Sequence, residues 1–84
     1  MQQYIIMCRS LTYAQKAGRV LERAGIYSSI TKAPQGVTPE GCTYGLKVRE
    51  THFREALSLV RAAGIRTGKL YVLRPDGSAG EVTA

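Results

Sequence analysis

The sequence predicts an α+β fold with the element order βαββαβ. Three observations carry that expectation. Short apolar runs of strand length alternate with two longer segments whose apolar residues recur at helical spacing. Both helical segments end in near copies of one motif, LERAGI at 21–26 and VRAAGI at 60–65, each preceded by one strand-like run and followed by another. The 84 residues suffice for one domain with a thin core, and 44% hydrophobic and 21% charged residues are ordinary for a globular chain. By analogy with the duplicated split βαβ, or ferredoxin-like, sandwich, the four-stranded antiparallel sheet is expected in the order 4-1-3-2 with both helices on one face.

The first strand is the apolar run QYIIMC at 3–8. In SLTYAQKAGRVLERAG, Tyr13, Ala14, Ala17, Val20, Leu21 and Ala24 recur at helical spacing. Ser10 or Thr12 can cap the start of this helix, Gln15 is placed for a capping box with Thr12, and Gly25 suits the end. IYSSITK at 26–32 is rich in β-branched and aromatic residues and reads as the second strand, and the Pro- and Gly-punctuated APQGVTPEG at 33–41 reads as a loop. The third strand, 42–49, alternates, with Cys42, Tyr44, Leu46 and Val48 on one face and Thr43, Gly45, Lys47 and Arg49 on the other. Thr51 can cap a second helix that turns Phe53, Ala56, Leu57, Val60 and Ala63 inward and stops at Gly64. KLYVL at 69–73 supplies the fourth strand. The domain thus spans residues 1–73, and 74–84 is a turn followed by a flexible tail.

Charge and composition narrow the function classes. A formal charge of +6 suits an anionic partner, although the basic residues form no run. No apolar stretch approaches the ~20 residues that cross a bilayer, and MQQYIIMCRS lacks the basic start and apolar length of a signal peptide, so no membrane partner and a cytoplasmic location are expected. Two cysteines and one histidine are too few for a disulfide framework or a closed four-ligand zinc site; no metal and no cofactor is expected. His52, at the start of the second helix, is expected about 20 Å away along the third strand from Cys42, which disfavours a Cys–His pair. A carrier or binding protein therefore fits better than a stand-alone enzyme.

The topology gives the cysteines a relation that their 34-position separation hides. Cys8 ends the first strand and Cys42 starts the third; if these strands pair antiparallel, both thiols lie at one end of the sheet, beside Arg9 and the N-terminus of the first helix. A thiol in such a place ionises more readily than a free cysteine of pKa about 8.5. Cys42, next to the loop, is the candidate carrying thiol, and Cys8 a possible resolving thiol. Arg9, Ser10 and Gly41 are candidates for holding an anion or a partner. The opposing reading makes Cys42 a small hydrophobe that shares its face with Leu46 and Val48.

GCTYGLKV, placed directly after the loop and opening the third strand, resembles the G/S-C-G-x-x-L/V-x-V stretch of the selenium/sulfur (Se/S) carrier protein-like family, and SLTYAQKAGRVLERAGI resembles that family's helix ending in A-G-I. The resemblance spans roughly residues 3–73. Cys42 maps onto the family's cysteine, while Thr43 stands where many relatives have glycine. The resemblance implies a carrier that takes sulfur or selenium on Cys42 as a persulfide or selenopersulfide and passes it between donor and acceptor proteins.

A different class also stays open: a non-catalytic anion- or RNA-binding regulatory module on the same fold, with Cys42 structural. RNA-recognition modules stack bases on aromatics of strands 1 and 3, and only Tyr4 and Tyr44 lie there, so nucleic acid is the less favoured partner. An acylphosphatase-like enzyme would need an asparagine to place water, and the chain contains none. Finally, Ile5 and Met7 point away from Ile6 and Cys8, so the face without helices is expected to be bare and apolar, a surface for a homodimer.

Overall fold

The computed structural model describes residues 2–33 and 44–83. Strand β1 (Gln3–Cys8) is followed by helix α1 (Leu11–Arg23), β2 (Ser29–Lys32) and β3 (Tyr44–Arg49); a 3-10 turn (Glu50–His52) leads into α2 (Phe53–Ala62), then β4 (Thr67–Leu73) and β5 (Ala79–Val82). All neighbouring strands run antiparallel in the order β2-β3-β1-β4-β5. The fold is α+β, two helices and a five-stranded antiparallel sheet. The expected four-stranded sheet in the order 4-1-3-2 is thereby corrected, since a fifth strand lies outside β4.

The reason is the turn at Pro75-Asp76-Gly77. Asp76 Oδ1 accepts hydrogen bonds from the Ser78 backbone N–H at 2.9 Å and the Ser78 hydroxyl at 2.7 Å. Gly77 takes φ 90°, and the Arg74 N–H donates to the Ser78 carbonyl at 2.9 Å. The chain is turned back so that Leu73 meets Ala79 and Leu70 meets Val82. Residues expected in a loose tail therefore complete the sheet.

Helix α1 turns Ala14, Ala17 and Leu21 into the core. Tyr13, read from spacing as a core residue, is 42% exposed because it sits about 100° around the helix from Ala14. Both helices stop by the same device. Gly25 and Gly64 adopt φ 78° and 80°, and the following isoleucines donate backward, Ile26 N–H to the Leu21 carbonyl at 2.9 Å and Ile65 N–H to the Val60 carbonyl at 3.3 Å. This is the Schellman arrangement, in which the repeated Gly-Ile pair closes the helix and tucks the isoleucine against it. Ile26 is spent on this contact, which is why β2 begins at Ser29 and not at 26. Helix α2 departs from expectation at its start: Thr51 is not its cap, because the chain leaving β3 is tied by the Glu50 N–H to the Gln2 carbonyl at 3.3 Å and tightens into the 3-10 turn first.

The main core lies between the sheet and the helices. Ile6 pairs with Leu46 on one side and Leu70 on the other, and this row packs with Leu21 and Val60. On the opposite face, Ile5, Met7 and Tyr71 form a second buried cluster with Ala33 against it. The expected bare face is thus corrected: Met7 is fully buried and Tyr71 is 3% exposed, which removes the observation behind a homodimer there. Met7 pairs with Gly45, where a Cβ would lie 2.9 Å from Met7 Sδ and 2.7 Å from the Ile6 carbonyl, so the missing side chain makes room for the methionine. Among the described residues no helix is long and apolar enough to cross a membrane.

Candidate thiol site and its cationic surroundings

The end of the sheet where β1 finishes and β3 begins gathers the described candidates. Cys8 pairs with Tyr44 of β3 on one side and with Thr67 of β4 on the other. A register shift between Ile6 and Cys8 bends the ladder to β4 at this end. The Cys8 side chain faces the helices within the main core, fully buried, with its Sγ donating to the Ile6 carbonyl at 3.8 Å. A thiol in that setting has the burial of a core residue.

The chain then turns through Arg9 and Ser10 into α1. Ser10 has extended φ and ψ of −154° and 169°, and its Oγ accepts from the Tyr13 backbone N–H at 3.3 Å. Its backbone carbonyl accepts from the Ala14 N–H at 3.0 Å. Ser10 is therefore the helix cap, one of the two alternatives that the sequence offered, and its side chain serves an otherwise unpaired amide. Arg9 is exposed and lines a cleft of about 240 Å³ together with Tyr13, Gly64 and Arg66.

Neither Arg66 nor Gly64 is among the site residues expected from the sequence. The signal was present, since Gly64 ends the second helix and Arg66 precedes the strand that pairs with β1. Antiparallel pairing of β1 and β4 brings that junction to Cys8 and Arg9. Two guanidiniums on one small cleft form a ready receiver for an anionic group.

Cys42 and Gly41 lie outside the described residues. The nearest described residue of their segment is Tyr44, half-buried against the main core and opposite Cys8. His52 lies in the 3-10 turn after β3, at the end where Arg49 pairs with Gln3, which is the far end of the sheet from Cys8. Tyr4 and Phe53 stack at that far end, with ring centroids 4.2 Å apart and planes at 18°.

Against known proteins, the family model described as "Putative Se/S carrier protein-like" matches residues 3–72. No curated protein matches the chain. The family match covers nearly the whole fold, from β1 into β4, and the chain belongs to that family.

Proposed function

We propose that this member of the Se/S carrier protein-like family carries sulfur or selenium on Cys42 and passes it between partner proteins. The single observation that carries the reading is the match of residues 3–72 to the family described as Se/S carrier protein-like, a stretch that includes Cys42. Tyr44, which pairs with Cys8 of β1, comes two positions after Cys42 in the sequence. On the other side of β1, Thr67 of β4 pairs with Cys8, so that Arg66 and Arg9 adjoin one paired position.

Loading is a thiol exchange. The Cys42 thiolate attacks the outer sulfur of a donor persulfide R–S–SH, the bond between the donor's two sulfurs breaks, and R–S⁻ leaves, giving Cys42–S–SH. No net oxidation occurs and the proton stays with the transferred sulfur. An acceptor thiolate then attacks the same outer sulfur and releases Cys42 as thiolate. Selenium passes by the same steps. Cys8, buried behind the strand end, acts as a resolving thiol only if that end opens.

The test is loading by a small-molecule persulfide, read by intact mass. Wild type and Cys8→Ala gain one sulfur atom, and Cys42→Ala gains none while its circular dichroism stays unchanged. Undiminished loading of Cys42→Ala overturns the carrier reading and leaves the anion-binding module, for which the Arg9 and Arg66 cleft speaks.

A further inference from the structure

The cleft of Arg9 and Arg66 does not end at those residues. A second depression of about 330 Å³ runs from it along the outer side of α1 and shares Tyr13 and Gly64 with it. The two together are lined by Arg9, Lys16, Arg19, Arg23 and Arg66, five of the chain's twelve lysines and arginines, and, among the described residues, by no aspartate or glutamate. Val20, Ala63 and Ile65 give the second depression an aliphatic floor. The only ion pair among the described residues, Lys69 to Glu81 at 3.6 Å, lies elsewhere, on β4 and β5.

We infer that this groove, between α1 and the C-terminal end of α2, docks an acidic segment of a partner protein that carries an apolar anchor residue. Charge selects the occupant. A cationic rim attracts carboxylates and raises the encounter rate, and arginine forks hold them in pairs of hydrogen bonds. The aliphatic floor supplies what surface charge alone lacks, a place where a side chain leaves water. Single-stranded nucleic acid fits less well, because stacking needs flat aromatic faces. Tyr13 is the sole aromatic lining either depression, and Lys16 Nζ stands over its ring at 5.7 Å. The neighbouring groove between α1 and β2, although larger at about 550 Å³, includes Glu22 beside Arg19 and lacks this one-signed rim. The inference does not depend on any chemistry at Cys42.

The experiment is fluorescence anisotropy at low and physiological salt with three labelled probes: a peptide of glutamates flanking a leucine pair, its glutamine counterpart, and oligouridylate. The glutamate peptide binds wild type and Arg54→Gln/Arg61→Gln alike. It binds Arg19→Gln/Arg66→Gln about tenfold more weakly, the scale of two rim charges. Exchanging the leucine pair for serines weakens it further. Equal loss in the two double variants, which have equal net charge, overturns the inference in favour of diffuse attraction. Tighter binding of oligouridylate, lost in Arg19→Gln/Arg66→Gln, overturns it in favour of a nucleic-acid site, and absence of peptide binding at low salt overturns it outright.

Discussion

On the helix-covered face of the sheet, Ile6, Leu46 and Leu70 form a row across the three central strands, closed from above by side chains of two helices. On the other face, Ile5 and Tyr71 pair across β1 and β4, and Met7 lies over Gly45, with no helix on that side among the described residues. The first face is sealed by breadth, with many neighbours for each side chain. On the second, Met7 occupies the space that the absent Gly45 side chain leaves, and Ala33 packs against the cluster. Strand β1 belongs to both, which is why its last four residues are all buried and why its sequence reads as a continuous apolar run.

The most direct way to break the difference is Gly45→Val. A Cβ there meets backbone as well as sulfur, and backbone cannot step aside, so urea unfolding should show a loss of at least about 3 kcal/mol. A wild-type midpoint would mean that the second face has slack. Ile6→Ala, which opens a hole in the broad face, should cost about 3 kcal/mol, and Met7→Ala about 2 kcal/mol, because a Gly-lined space can partly collapse. If Met7→Ala proved the more costly of the two, closure of the smaller face would be the more demanding one. Smaller again are Gly25→Ala and Gly64→Ala. Nothing lies within 4 Å of a Cβ at either position, so the effect is backbone strain alone, about 1 kcal/mol and equal for both. An unequal pair would show that the two helix ends are not equivalent.

The smallest effect lies outside both faces. The Ser78 hydroxyl and then the Ser78 backbone N–H hold the Asp76 carboxyl below its usual value of 3.8, and the group is fully exposed at the hairpin tip. A depressed carboxyl contributes stability above its unfolded value and loses it as pH falls through the folded one. Asp76→Asn should therefore lag wild type by a constant margin at neutral pH, and the margin should shrink below about pH 4. A margin independent of pH would assign the turn's stability to shape and not to charge.

The helices were legible because spacing and stop signals agree: Ala14, Ala17 and Leu21, or Phe53, Ala56, Leu57 and Val60, followed by Gly-Ile. Tyr13 departs from expectation because the inward stripe is the one that Ala14, Ala17 and Leu21 mark, and its ring lies off that stripe. Strand β5 is faint in the sequence because AGEV has one β-branched residue and follows a turn signal that marks an ending as readily as a reversal. The burial of the second face is not legible in the sequence, because pattern reports which way Met7 points, not what fills the space around it. At the candidate site, Ser10 and Arg9 were readable from position next to a helix start. Arg66 was not, because only strand pairing brings it there, and Cys42 and Gly41 lie outside the described residues.

The outermost strands, β2 and β5, are each four residues long, whereas β4 runs seven, with Leu70, Tyr71 and Val72 buried in succession. Short outer strands, one ending in Lys32 and the other carrying Glu81, offer a second chain few unpaired amides and charges in the way. Losing Ala79–Val82 would leave the β4 ladder as the rim, longer and more apolar, and a chain so trimmed would become a template on which copies add edge to edge into fibrils.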